Sequence, residues 1–153
     1  MTSRDTDFDL DQFLPYLLNQ AAEAVSQGFQ PVYRDRYGMT RTQWRVMANL
    51  GRFGAMTASD ICAASHVEKT KVSRAVATLE AAGHLARAPS ENDGRAEILS
   101  LTETGMAVFE DLGRSALSYD ADLRARLGPE SAEALRGLLR RLRAMELPAT
   151  AKD

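Results

Sequence analysis

The sequence predicts a mainly α-helical chain carrying one small β-hairpin, and three observations lead there. Apolar residues recur at spacings of three and four along much of the chain, the stripe of an amphipathic helix. Two cap signals, Thr40 with Gln43 and Thr57 with Asp60, open helices in quick succession. The polar run Ser90-Glu91-Asn92-Asp93-Gly94-Arg95 separates two short segments and contains Asp-Gly, a strong hairpin signal.

Element by element, Leu10, Phe13, Leu14, Leu17, Leu18, Ala21 and Val25 form the stripe of a first helix over Asp9 to Gln27. Pro31 lacks a backbone donor and disfavours helical geometry at Gln30, so Pro31 to Tyr37 is either a kinked continuation or a new helix with proline in its first turn. Gly38 ends it. The helix opened at Thr40 has Trp44, Met47, Ala48 and Leu50 as its apolar positions, and Gly51 and Gly54 close it. A third, short helix from Thr57 carries Ile61 and Ala64, and a tight turn at Ser65 and His66 follows. Glu68 to Ala82 then sorts Val72, Ala75, Val76 and Leu79 to one face and Lys69, Thr70, Lys71, Ser73, Arg74 and Thr78 to or near the other.

Gly83 stops that helix. Leu85 to Pro89 and Ala96 to Leu101 are the hairpin strands, and so small a hairpin has to lean on the helices before it. Thr102 caps a long helix with a stripe through Met106, Phe109, Leu112, Ala116, Leu123 and Leu127. Gly128-Pro129 breaks it, and a final helix to Met145 sets Leu135, Leu138, Leu139, Leu142 and Met145 on one face, opposite Arg136, Arg140, Arg141 and Arg143.

At 153 residues and 44% hydrophobic content the chain reads as one domain that buries a core without disulfides or a structural metal. A single Cys62 and two histidines cannot build a zinc cluster of the usual spacing, and no cofactor motif is present. A cytoplasmic setting without membrane attachment is expected, since no apolar run approaches a membrane span and the first residues are acidic. No Cys-His or Ser-His-Asp set and no phosphate loop is recognisable, so an enzyme is not expected. The net charge of -2 is unevenly spread: residues 1–12 hold Arg4 against Asp5, Asp7, Asp9 and Asp11, whereas residues 64–87 hold Lys69, Lys71, Arg74 and Arg87 against Glu68 and Glu80. A phosphate contact needs local positive charge, and the second segment has it.

Helix, tight turn, helix and a polar-tipped hairpin make a winged helix-turn-helix, whose second helix enters the major groove while the wing touches the adjacent backbone or minor groove. The runs Thr42-Gln43-Trp44-Arg45-Val46-Met47, Asp60-Ile61-Cys62, Lys69-Thr70-Lys71-Val72-Ser73-Arg74, Leu79-Glu80-Ala81-Ala82-Gly83-His84-Leu85, Asp93-Gly94-Arg95-Ala96 and Leu99-Ser100-Leu101-Thr102-Glu103-Thr104-Gly105, in this order, resemble the MarR family of bacterial regulators, from the first helix to the end of the last. The resemblance implies a homodimeric transcriptional regulator, with residues 8–37 and 103–147 as dimerisation helices around a DNA-binding region over residues 40–102. It also implies a near-palindromic double-stranded operator and a small-molecule signal that releases a repressor. A winged-helix module that binds protein, or a DNA binder that answers to no ligand, are the alternatives.

On that resemblance Lys69, Thr70, Lys71, Ser73 and Arg74 reach bases and phosphates, and Arg95, oriented by Asp93, enters the minor groove. Without it these are a solvated helix face and a solvated turn charge. His66 stands where the family commonly has glycine, so that either histidine takes the left-handed region at some cost or the turn is altered, and Gly94 stands where a second basic wing residue is common. Tyr16, Asn19, Tyr37 and Arg45 are candidates to line a pocket for a small aromatic or acidic ligand, unless Tyr37 and Arg45 only tie the second helix to its neighbours. Trp44 is assigned to the core, with a cavity-lining indole edge as the alternative; Cys62 is expected to be a buried small hydrophobe with no part in oxidant sensing, and His84 a surface residue.

Overall fold

A computed structural model of the protein describes residues 7–92 and 94–147. After a short 3-10 turn, Leu10–Gln12, whose cap Asp9 accepts a hydrogen bond from the Asp11 amide, α1 (Leu14–Tyr37) starts with Pro15 in its first turn and continues through Pro31. It is therefore one helix, and it ends at Gly38 with φ 63° and the glycine amide donating to the Arg34 carbonyl at 2.8 Å. In α2 (Arg41–Phe53) both arms of the predicted capping box form, Gln43 N–H to Thr40 Oγ1 and Thr40 N–H to Gln43 Oε1, each at 3.2 Å. Gly51 was expected to help end this helix but lies inside it. The Phe109 ring rests where a side chain would be, 2.5 Å from an added Cβ, so the glycine serves close packing.

A strand that sequence periodicity does not reveal, β1 (Met56–Thr57), leads into α3 (Ala58–Ser65), whose Thr57 and Asp60 form a second capping box at 3.1 Å in both directions. His66 then takes the left-handed conformation, φ 54° and ψ 37°, so the turn keeps a geometry suited to glycine while a side chain of ordinary chirality bears a strain of ~1–2 kcal/mol. The second helix of the motif, α4 (Lys69–Ala81), buries Val72, Ala75, Val76 and Leu79. Gly83, at φ 80°, reverses the chain into β2 (Leu85–Pro89), which pairs antiparallel with β3 (Glu97–Leu101) in the register Leu85 with Leu101, Arg87 with Leu99 and Pro89 with Glu97. The strands lie in the order β1-β3-β2, with Met56 opposite Leu99.

The long helix α5 (Glu103–Leu127) opens where Thr102 Oγ1 accepts from the Gly105 amide at 3.0 Å and donates to the Gly83 carbonyl at 2.6 Å. Its buried positions are Gly105, Val108 and Leu112, a stripe turned from the expected one, in which Met106 and Leu127 are exposed. The reason is local: Gly105 lies so close to the His84 carbonyl oxygen that an added Cβ would stand 1.9 Å away, and this approach fixes the helix's rotation. His84, expected at the surface, is half-buried, and its Nδ1 is enclosed with no hydrogen-bond partner among the described residues. Cys62, expected to be buried, is half-buried, because α3 turns only Ile61 fully inward.

The chain divides into two compact units, the first ending at Gly113 and the second beginning at Arg114, with the boundary inside α5. The core of the first is built from Val46, Met47 and Leu50 of α2, Ile61, Val72, Val76 and Leu79 of the motif, and Leu85 and Leu99 of the sheet, each nearly or wholly inaccessible. Every such aliphatic side chain contributes roughly 1.5–3 kcal/mol by leaving water. Trp44, assigned to the core, is half-buried and stacks on Tyr33 with 6.2 Å between centroids, while Phe29 tilts against it at 5.6 Å, so aromatic rings join α1 to α2. The second unit holds the rest of α5 and α6 (Pro129–Ala144), in which Ala132 alone is buried among the described residues. Leu135, Leu138, Leu139 and Leu142, all expected on one apolar face, are 39 to 51% exposed. The predicted stripe at the start of α1 is likewise uncovered, at Phe13, Leu14, Leu17 and Leu18. Among the described residues no helix is long and apolar enough to cross a membrane.

Two predictions follow from this packing. Gly105→Ala forces a methyl group onto backbone and should lower unfolding stability by ~1–3 kcal/mol in urea titration, whereas Gly137→Ala, with open space at its Cβ and a gain in helix propensity, should not lower it. Equal midpoints for the two variants would contradict the close approach. Glu23 accepts from Arg41 Nη1 at 2.7 Å and Nη2 at 3.0 Å and from Gln27 Nε2 at 2.9 Å, and these donors, Arg41 first, hold its carboxyl down at about 2. A depressed folded-state pKa gives a stabilising contribution that is complete above the unfolded glutamate's pKa and is lost as pH falls toward 2. Carboxyl NMR titration should find Glu23 ionised below pH 4 in the parent and its midpoint raised in Arg41→Ala; an ordinary midpoint in the parent would exclude the pair.

Candidate nucleic-acid interface

The order of turn and helix decides which side chains of α4 meet solvent. Burying Val72, Ala75, Val76 and Leu79 at spacings of three and four leaves Lys69, Thr70, Lys71, Ser73 and Arg74 exposed. Each of the five therefore stands on the outer face, in the first two turns of the helix. This is an expensive place for a cation. The N-terminus of a helix carries about half a positive charge, so a lysine in the first turn is disfavoured by ~0.3–1 kcal/mol, and α4 has no acidic residue there to offset it. Glu68, the residue before the helix, makes no side-chain cap. Amide donors and two ammonium groups thus converge at one helix end, an arrangement suited to a polyanion.

The wing lies beside this face. Its hairpin is closed by the Ser90 amide donating to the Ala96 carbonyl at 3.0 Å, and Arg95 is exposed just before β3. Arg95, Ser73, Thr57 and Ser59 line a concavity of about 230 Å3 between the start of α3, the middle of α4 and the hairpin. The structure therefore brings Arg95 and Ser73 to one groove, and it adds two hydroxyl residues, Thr57 and Ser59, that the linear reading passed over. Their only sequence signal was the cap at Thr57. Asp93, the expected orienting partner of Arg95, lies outside the described residues.

Arg87 was counted among the cations of this segment, but its charge is committed elsewhere. Its Nε donates to Glu80 Oε2 at 3.0 Å and its Nη1 to Glu97 Oε2 at 3.1 Å, and with Glu97 as the first cause these carboxylates raise its pKa above the usual arginine value. The other cations of the face are Lys69, Lys71, Arg74 and Arg95.

The four candidate ligand residues do not converge within the chain. Tyr16 and Asn19 lie near the start of α1 and Tyr37 at its end, and 21 residues of helix separate Tyr16 from Tyr37 by about 30 Å. Tyr37 is half-buried and its hydroxyl donates to Asp111 Oδ2 at 2.6 Å, with Arg36 Nη1 on the same oxygen at 3.3 Å; Arg45 is exposed on α2.

This geometry agrees with what the chain is similar to. The model of the MarR family matches residues 37–96, the span from the end of α1 to the tip of the wing. The HTH-type transcriptional regulator FarR of Neisseria gonorrhoeae is 30% identical over 84% of this chain and 88% of its own length. The crystal structure of the MarR family transcriptional regulator SPO1453 from Silicibacter pomeroyi is 30% identical, with a TM-score of 0.77 over 89% of this chain and 96% of that one. NadR, solved in complex with 4-hydroxyphenylacetate, is 25% identical, with a TM-score of 0.77 over 95% of this chain and all of its own. The chain belongs to the MarR family, and it is a DNA-binding transcriptional regulator with a winged helix-turn-helix, not an enzyme.

Proposed function

We propose that the protein acts in the cytoplasm as a homodimeric repressor that holds a near-palindromic double-stranded operator until a small aromatic acid releases it. The observation that carries the DNA-binding part is the sorting of α4, whose buried face forces Lys69, Thr70, Lys71, Ser73 and Arg74 outward at a helix start, where the lysines are unfavourable in the free protein. Arg95, with Asp93 as its orienting partner, supplies the minor-groove contact. Homodimerisation is supported by the uncovered apolar faces at the start of α1 and along α6, and on this reading residues 8–37 and 103–147 serve it. The ligand class rests on NadR, whose bound 4-hydroxyphenylacetate is an aromatic acid, and on Arg45 as a cation at the α2 surface. A pocket that used Tyr16 together with Tyr37 would need both protomers, given the helix length between them.

Affinity for the operator should fall steeply with salt, and Lys71→Ala should reduce the slope of log K against log salt by about 1 while leaving base preference intact. Arg74→Ala should relax base preference at one position of each half-site, at a cost of ~1–3 kcal/mol. Unchanged affinity and preference in Arg74→Ala would remove α4 from the interface. In sedimentation, a protein lacking residues 129–153 should no longer form the dimer; a normal dimer in that variant would overturn the assignment of α6. Release of the parent from its operator by 4-hydroxyphenylacetate or a related aromatic carboxylate, and not by acetate, is the expected ligand response.

A further inference from the structure

A two-stranded hairpin holds its direction poorly by itself, and β1 adds only two residues to its edge. Beyond the apolar packing that buries Leu85 and Leu99, Arg87 joins the hairpin to α4 by a hydrogen-bonded ion pair. On β2 Arg87 is two residues from Leu85 and so projects to the same side of the sheet, the side on which Leu85 and its neighbour Leu99 are buried. Its guanidinium then forks, one arm to Glu80 on α4 and the other to Glu97 on β3. Three elements, helix, outer strand and inner strand, meet at one planar group. Beyond it the strands run on to the turn that carries Arg95.

We propose that Arg87 is a positioning residue for DNA recognition, a strut that fixes the wing against the recognition helix and so sets the separation of Arg95 from Ser73 across the groove. The inference rests on the reading of α4 and the wing as the DNA interface. Three features favour a strut over a phosphate contact. The trio of Glu80, Arg87 and Glu97 carries a net negative charge, so it adds nothing to the attraction of a polyanion. Both bonds are oriented along different elements, a geometry that the planar fork of arginine provides and a lysine ammonium does not. Arg87 also lines the same concavity as Arg95 and Ser73, so a change in its length or direction is transmitted to both walls. As an ion pair whose arginine is 35% exposed it contributes little to global stability.

The experiment is operator titration of the full-length protein over a salt series, with circular dichroism melting alongside, for the parent, Arg87→Met, Arg95→Ala, their double variant, Glu80→Gln and Arg74→Ala. Arg87→Met should weaken binding by about tenfold, the size of one lost charge-assisted contact. The double variant should be no weaker than the weaker single one, because Arg87 acts through Arg95. Glu80→Gln gives the sign: removal of a negative charge near DNA tightens binding by electrostatics alone, whereas loss of one arm of the strut weakens it. Tighter binding by Glu80→Gln, or additive losses with a separate fall in salt slope for Arg87→Met, would overturn the proposal. So would parent-like affinity of Arg87→Met while Arg74→Ala and Arg95→Ala lose binding, which leaves the interface standing. If Arg74→Ala and Arg95→Ala also bind like the parent, the interface reading fails and the strut falls with it.

Discussion

The burial of one face of α4 is the constraint on which the rest of the structure depends. Val72, Val76 and Leu79 are inaccessible against α2, α3 and the sheet, so this helix cannot rotate without taking several kilocalories per mole of apolar surface back into water. Because a helix repeats every 3.6 residues, fixing that face also fixes which residues stand opposite. The functional surface is the complement of the core. The capping boxes of α2 and α3 and the strained left-handed turn at His66 serve the same end, since they hold the two partner helices in the orientation that receives α4.

Charge is arranged by the same geometry. The chain carries a net -2, yet the outer face of α4 is basic, and Glu80 and Glu97 are engaged by Arg87. A first turn with lysines and no carboxylate breaks the local rule for a stable helix start, and such breaks gather where a surface meets a partner. Proteins with an acidic total and a basic patch bind polyanions at that patch and remain repelled elsewhere, which limits non-specific association.

Much of the fold was legible because its signals are local. Thr40 with Gln43 and Thr57 with Asp60 each act within one turn, and the spacing of Val72, Ala75, Val76 and Leu79 within two, and the helices stand where these residues put them. What escaped the linear reading depends on distant pairs. Met56 and Thr57 form a strand only because Leu99 and Ile98 lie opposite, and two residues are too few for a period. Gly51 reads as a helix end until the Phe109 ring is seen above it, and the stripe of α5 is rotated by the approach of Gly105 to His84, 21 positions earlier. In the interface, the five residues of α4 were readable for the same reason as the helix itself, whereas Thr57, Ser59 and the engagement of Arg87 come from packing between elements. The ligand residues rest on residue type and on the helices that the resemblance sets around a pocket, neither of which gives distances, and the length of α1 separates Tyr16 from Tyr37.

The uncovered leucines at the two ends of the chain have a thermodynamic consequence. When apolar surface is covered only by association, the free energy of folding includes the free energy of assembly, and both then vary with the logarithm of protein concentration. A chain on its own exposes Leu14, Leu17, Leu138 and Leu142; in the proposed dimer, mutual coverage at higher abundance would protect them from proteases and chaperones. On the proposed dimer, a regulator built this way would have a threshold below which it does not persist, set by the physical chemistry of its own surface.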